Sequence, residues 1–189
     1  LAGLFFASLS LNAQTPIAHY KFDGNLNDET GNWNLSESAG FTAGFETGQD
    51  GTANGAVTGC TDLDFLTTST PLPIDGNEAR TFMAWVKTPA NGNQPVIGFG
   101  ENADPKLRKF TFGLINNNSG QPRNRVEVRG GGISGAEIAF DTWVHIATNY
   151  DVANNVLNLY INGAFDTSVD LDDIGNNAGT LNTSNVNNL

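Results

Sequence analysis

The chain has 189 residues, of which 39% are hydrophobic and 15% are charged, a balance that predicts one globular domain rather than a disordered chain. Its 20 acidic and 9 basic side chains leave a net charge of −11, which argues against nucleic acid as a partner because phosphates require a basic surface. The same charge argues against binding to an anionic membrane surface.

The N-terminal segment has features of a secretory signal. Residues 1–11 form an apolar run that is too short to span a bilayer, and the small residue Ala13 follows it. We interpret residues 1–13 as part of a signal peptide, whose end resembles those of Bacteroidetes-type secreted proteins. The mature protein is expected to be secreted or on the cell surface, with no membrane insertion after cleavage. A buried N-terminal strand or helix is the alternative.

Short alternations of apolar and polar residues, bounded by Gly, Asn, Asp or Pro, predict β-strands along the rest of the chain. The first reaches from Ile17 to Asp23. Residues Thr81 to Lys87 carry aromatic side chains on both faces, which predicts a central strand. Further strands are predicted at Leu35, Ala56–Val57, Asp62–Leu66, Val96–Phe99, Phe110–Ile115, Val126–Arg129 and Ile138–Phe140. This spacing, without any long helical period, is typical of a sandwich or barrel.

The last third of the chain predicts a β-meander. Thr142–Asp151 is rich in β-branched and aromatic residues, and Val156–Ile161 alternates apolar with polar side chains. An Asp- and Asn-rich turn separates these two runs. Asn162-Gly163 then offers the two positive-φ positions of a type I′ turn, before a third strand at Phe165–Val169.

Three segments carry a family resemblance. The run from Trp143 to Asp151, followed by Leu-x-Leu-Tyr-Ile-Asn-Gly at 157–163, resembles the signature of laminin G-like domains, which have the concanavalin A-like jelly-roll fold. His19–Asn32 is similar to the opening strand and loop of that family, and Arg80–Lys87 to its central Trp-Val strand.

The resemblance implies an all-β fold, an antiparallel β-sandwich of the concanavalin A-like jelly-roll type, over residues 16–189. Residues 174–189 contain no clear strand, so the family's C-terminal strand is expected to be missing and the chain to be part of a longer multidomain protein. The predicted core includes Phe82, Trp85, Trp143, Leu157, Leu159 and Ile161.

One loop is a candidate calcium site. Residues 23–27 have the D-x-N-x-N spacing that can turn alternate oxygens toward one centre. Related jelly-roll domains often carry Ca²⁺ at a rim, so the resemblance makes Asp23, Asn25 and Asp28 candidate ligands. The alternative is a solvated turn rich in Asn and Asp.

The motifs of catalysis are absent from the sequence. A glycosidase of this fold needs a close pair of carboxylates, usually as E-x-D-x-E, and neither that motif nor G-x-S-x-G, a P-loop or H-E-x-x-H occurs. We therefore expect a non-catalytic carbohydrate-binding or adhesion module whose ligand is a glycan or an extracellular protein. The alternatives are a glycoside hydrolase or lyase of the same fold, or a structural spacer domain.

Aromatic side chains are the candidates for contact with a sugar. Trp33, in a loop, and Tyr150 are the predicted ligand-binding residues, since exposed rings can stack on pyranose faces. Trp85 and Trp143 lie in strand patterns and are assigned to the core instead.

The remaining polar candidates are assigned structural roles. The basic pairs Arg108-Lys109 and Arg123-Asn124-Arg125 are interpreted as ordinary surface charge, with contact to an acidic glycan as the alternative. His19 and His145 have no cluster of metal-binding residues around them and are interpreted as structural. The single Cys60 cannot form an intramolecular disulfide and is interpreted as a small apolar filler.

Overall fold

A computed structural model describes residues 15–61, 64–102, 106–118, 120–174 and 179–184. The signal-peptide interpretation of residues 1–13 falls outside this part. The described residues contain no helix that is long and apolar enough to cross a membrane. Their strands, in chain order, are β1 Leu35–Glu37, β2 Gly44–Glu46, β3 Ala56–Thr58, β4 Leu66–Thr68, β5 Arg80–Val86, β6 Gln94–Gly100, β7 Lys109–Ile115, β8 Arg123–Val128, β9 Gly131–Glu137, β10 Val144–Asp151, β11 Val156–Ile161 and β12 Ala164–Asp170, followed by a short 3-10 helix at Leu171–Asp173.

Two antiparallel four-stranded sheets form the body of the fold. One has the strand order β12-β11-β10-β5 and the other the order β6-β7-β8-β9, and two smaller sheets pair β1 with β4 and β2 with β3. Side chains from both large sheets belong to one hydrophobic core. The antiparallel β-sandwich predicted from the sequence is confirmed.

The core follows from the two-residue period of the strands. On β7 and β8 the alternate residues Phe110, Phe112, Val126 and Val128 are at most 1% exposed. On the opposing sheet the same period buries its own set: Ile146, Thr148, Tyr150, Leu157 and Leu159. Because every second residue of each strand enters the core, the residues between them form the outer faces of the two sheets.

The predicted meander is confirmed in detail. β10, β11 and β12 pair in order, with Tyr150 opposite Leu157. The first turn is held by Asp151, whose Oδ1 accepts hydrogen bonds from the Ala153 and Asn154 backbone N–H groups at 3.0 and 3.2 Å. In the second turn Asn162 and Gly163 have φ values of 50° and 78°, as a type I′ turn requires.

Two predicted strands are wrong. Residues Ile17 to Asp23 form only an isolated bridge between Tyr20 and Asp28, because the chain turns where Phe22 has a φ of 59°. Ile138–Phe140 is not a strand either. The glycine-rich segment before it forms β9 instead, since it pairs with β8. Of the strand expected at Asp62–Leu66, residues 62 and 63 lie outside the described part, and β4 begins at Leu66.

The position of β5 also differs from expectation. The strand exists as predicted, but in the described chain it lies at the end of its sheet, next to β10 alone. Aromatic side chains on both faces of β5 are therefore not evidence that both faces are buried. The inner-facing Phe82 packs against Phe99 and Phe110, with ring centroids 5.4 and 5.2 Å apart.

Candidate functional site

The outer face of the sheet that contains β5 carries large exposed apolar side chains. On β5, Met83 is 64% exposed and Trp85 is 47% exposed, and on β12 Phe165 is 60% exposed. The prediction that Trp85 is buried is therefore wrong. Trp143, also assigned to the core, is half-buried, with the Lys87 ammonium 5.3 Å from its ring centroid.

Strand register places these side chains in adjacent rows. Met83 pairs with Ala147, Ala147 with Tyr160, and Tyr160 with Phe165, so one row crosses all four strands. The rings of Tyr160 and Phe165 meet edge to face with centroids 5.9 Å apart. In the next row Trp85 pairs with His145, and their ring centroids are 5.3 Å apart. We call the set Met83, Trp85, His145, Tyr160 and Phe165 the aromatic face.

Hydrogen-bonding side chains flank the aromatic face. On the other side of the Met83 row, Asn149 pairs with Thr81 on β5 and with Asn158 on β11, which pairs with Ser168 on β12. The Asn149 Oδ1 atom is buried and has no hydrogen-bond partner among the described residues. Because this oxygen is shielded from solvent, the polar groups that this row offers to a ligand are those of the exposed Thr81 and Ser168.

One signal in the sequence could have identified this face. The inner-facing residues of β5 are Phe82, Ala84 and Val86, and the alternation extends from Met83 and Trp85 to Lys87. A charged residue in register with Trp85 indicates the solvent side of the strand, because an unpaired ammonium group is not buried in a core.

The outer face of the second sheet is charged. Lys109 Nζ lies 2.7 Å from Glu127 Oε1, and Arg125 Nη2 lies 3.2 Å from Glu127 Oε2. Arg125 Nη1 donates to Ser134 Oγ at 3.2 Å, and Arg123 Nη2 lies 3.7 Å from Glu137 Oε1. We call the set Lys109, Thr111, Arg123, Arg125 and Glu127 the charged face. Burial raises the pKa of Glu127, but Lys109 and Arg125 outweigh it and hold the pKa below its usual value.

Tyr150 does not lie on either outer face. It is 1% exposed, its hydroxyl donates to Asn155 Oδ1 at 2.9 Å, and the same hydroxyl accepts from the Leu181 backbone N–H at 3.4 Å. The structure contradicts its assignment as a ligand-binding residue, because the ring is packed inside the core. Trp33 is half-buried in its loop, where its carbonyl accepts the Tyr20 hydroxyl at 2.7 Å. Its contact with a sugar stays a prediction.

The candidate calcium loop is organised around Asp28, which is 4% exposed. Its carboxylate accepts the backbone N–H groups of His19 at 2.8 Å, Thr30 at 3.2 Å, Asn32 at 3.2 Å and Trp33 at 3.1 Å, and the Thr30 hydroxyl as well. Burial raises the pKa of Asp28, but these hydrogen bonds outweigh it and lower the pKa to about 2.

The hydrogen bonds of this loop affect whether Asp23, Asn25 and Asp28 can act as the predicted Ca²⁺ ligands. Both Asp28 oxygens already face N–H or O–H donors, which a cation would have to displace. Asn25 closes an Asx turn, since its Oδ1 accepts the Asn27 backbone N–H at 2.9 Å. The described residues include no group of three or more His, Cys, Asp or Glu side chains placed to hold a metal ion. In this arrangement the Asp28 carboxylate accepts hydrogen bonds that stabilise the turn and is not free to coordinate an ion. Ca²⁺ binding stays a prediction.

The sequence and the structure can be compared with known proteins. The family model Laminin_G_3, described as the concanavalin A-like lectin/glucanases superfamily, matches residues 61–186. Among solved structures, the chain is similar to domain 4 of AbnA, a GH43 extracellular arabinanase from Geobacillus stearothermophilus, in complex with arabinotriose. The two have a TM-score of 0.63 and 22% identity over 90% of this chain and 80% of that one. This likeness shows the fold alone. None of the curated proteins matches the chain.

Proposed function

Because the chain belongs to the concanavalin A-like lectin/glucanase superfamily, we propose that it is a non-catalytic carbohydrate-binding module whose aromatic face holds the sugar. The observation that carries this proposal is the exposure of Trp85 in the middle of a regular strand. An indole left 47% exposed keeps a large apolar surface in water, and such surface commonly marks a binding site.

The chemistry of the aromatic face suits a neutral sugar ring. The C–H groups on one side of a sugar form an apolar patch, which can pack on the flat indole of Trp85 or the rings of Tyr160 and Phe165. Sugar hydroxyls at the edge of the ring need hydrogen-bond partners. The flanking row of polar side chains supplies them in the hydroxyls of the exposed Thr81 and Ser168.

Two features support binding without catalysis. The sequence has no E-x-D-x-E motif. A glycosidase also needs a carboxylic acid with a raised pKa to protonate the leaving group. Glu127, which lies on a sheet face, has a lowered pKa and is ion-paired with Lys109 and Arg125, so it is poorly suited to that role.

The module is further proposed to be secreted and to be part of a longer chain. The apolar run at residues 1–11 supports secretion. The solved relative is one domain of an extracellular enzyme and was determined with an oligosaccharide, which is compatible with the same kind of role here.

The proposal is tested by titrating the protein with arabinotriose and with xylo-, cello- and laminari-oligosaccharides while following Trp fluorescence and heat. We expect binding to at least one neutral oligosaccharide, and Trp85→Ala should weaken it roughly 30-fold, the effect of losing a central aromatic contact. Val152→Ala is the matched control, because Val152 is also exposed but lies in the turn after β10.

Three results would contradict the proposal. One is the absence of binding across the whole panel. The second is binding that Trp85→Ala leaves unchanged, which would remove the aromatic face from the site. The third is hydrolysis of the bound oligosaccharide, which would place the protein among the enzymes of its superfamily.

A further inference from the structure

The charged face concentrates cations on an acidic protein. The whole chain has a net charge of −11, yet three of its nine basic side chains lie on the outer face of β7 and β8. Arg123 and Arg125 alternate with the buried Asn124 and Val126, so both point outward, and Lys109 lies on the neighbouring strand. Because like charge elsewhere on the surface repels anions, such a local excess of cations is the place where an anion would bind.

The floor of the charged face lacks bulky side chains. Gly98 pairs with Thr111, Thr111 with Glu127, and Gly113 with Arg125, so glycine occupies two positions beside the cations. A Cβ atom at Gly113 would lie only 2.4 Å from the Gln94 carbonyl oxygen, so the close approach of β6 requires glycine there. Glycine therefore keeps the strands beside Arg125 closely packed, and no side chain projects from these two positions.

The polar groups of this face are not fully paired with one another. Thr111 Oγ1 and Arg125 Nε are buried without a hydrogen-bond partner among the described residues. Three cations share only Glu127 and Glu137 as ion-pair partners within the face. Three cations against two carboxylates leave an excess of positive charge, which favours an added anionic group.

We propose that the charged face binds the carboxylate of an acidic, uronate-containing glycan. The planar guanidinium of Arg123 matches a carboxylate in shape, and Arg125, which is held by Glu127 and Ser134, adds positive charge beside it. Arg123 is the most accessible of the three cations, with a side chain 43% exposed, and Lys109, toward the other end of the two strands, offers a charge to a second carboxylate of the same oligomer. Glu127 can accept hydrogen bonds from the sugar hydroxyls, and the Ser134 hydroxyl can donate one to them. This inference rests on the proposed function, since it takes the ligand to be a glycan.

The test compares oligogalacturonate with the same oligomer as its methyl ester, which keeps the sugar and removes the charge. The wild-type protein should bind the acid at least tenfold more tightly than the ester. Lys109→Gln should lose about that factor for the acid. Lys21→Gln is the matched control, because it removes the same charge from an ion pair of the same length, 2.7 Å to Glu29, away from this face.

Two further variants guard against misfolding. Arg123→Gln changes a more exposed side chain, and Arg123→Lys keeps the charge but removes the planar fork. Both should weaken acid binding while the melting temperature stays near that of the wild type. Equal affinity for acid and ester overturns the inference, as does an equal loss in Lys21→Gln. Binding of neutral oligosaccharides is measured in parallel, so failure of the charged face is distinguishable from failure of the proposed function.

Discussion

The outer faces of the two large sheets differ although the same alternation builds both. The aromatic face offers apolar area from Met83, Trp85 and Phe165, and the charged face offers ion pairs around Glu127. The inner faces of both sheets are interchangeable in character, since each supplies large apolar side chains to one core. A sandwich therefore constrains only every second residue of a strand, and the other half is available for binding.

The two faces should also respond differently to conditions. Contact between a ring and a sugar depends on area removed from water, which salt changes little. Attraction between a guanidinium and a carboxylate is screened within about 8–10 Å at physiological salt. Substitutions in the core, in a loop and on each outer face should therefore have separable effects on stability and binding.

The largest expected effect comes from the core that both faces share. Phe110 is fully buried and packs on Phe82 and Phe99, so Phe110→Ala should cost about 3–5 kcal/mol of the free energy of unfolding. Urea denaturation measures it. Phe165→Ala is the control, because that ring is 60% exposed and should cost less than about 1 kcal/mol. Equal costs would contradict the assignment of inner and outer faces.

A smaller loss of stability is expected from a substitution in the loop around Asp28, which belongs to neither face. Asp28→Asn places an amide N–H₂ among the donors that now point at a carboxylate, which should cost about 2 kcal/mol at neutral pH. Denaturation of the two proteins measures it, and binding at both faces should stay unchanged. A loss of either binding activity in a folded Asp28→Asn protein would show that this loop is coupled to a face.

The pH dependence of the same contact has a definite sign. The folded pKa of Asp28, about 2, lies below its ordinary value of 3.8, so between these values the unfolded state binds more protons. The stabilising contribution is therefore complete above about pH 4 and is lost as pH falls through 2. The difference between wild type and Asp28→Asn should shrink over that window, whereas a difference that stays constant would contradict the assignment.

Added salt should weaken ligand binding at the charged face by less than a factor of ten and should leave binding at the aromatic face unchanged. Raising the ionic strength from about 0.05 to 0.5 M should weaken oligogalacturonate binding several-fold, because the charges on this face are partly exposed. Binding of a neutral oligosaccharide should be unaffected over the same range. Parallel titrations measure both. If both affinities change with ionic strength to the same extent, the expectation that the charged face binds by electrostatic attraction and the aromatic face by apolar contact is wrong.

The smallest expected effect concerns Ca²⁺. With a dissociation constant of about 10⁻³ M, typical of weak extracellular sites, 1 mM Ca²⁺ would add about 0.4 kcal/mol and raise the melting temperature by roughly 1–2 °C. Thermal melts in Ca²⁺ and in EDTA measure this shift. Equal midpoints would contradict the calcium prediction, and a shift that Asp23→Ala retains in full would place the ion elsewhere.

Local chemistry was sufficient for much of the fold. The Asp151 turn, the Asn162-Gly163 turn and the strands they join follow from residues that are close in sequence and are confirmed. The segment Ile17–Asp23 has a similar alternation, but in the described chain its only bridge joins Tyr20 to Asp28. Alternation indicates that a segment can be a strand, and a partner strand decides whether it is.

The fold class and the meander could be predicted from the sequence, because strand period and turn chemistry act between near neighbours, and the motifs at 143–151 and 157–163 indicated the family. The exposure of Trp85 had one local signal, Lys87 on the same face of β5, whereas the burial of Tyr150 follows from the tertiary structure alone. The tertiary structure also brought Lys109 to Glu127, which are 18 residues apart. Which face of a strand is covered depends on the packing of one sheet against another, and that long-range contact leaves little trace in the local pattern.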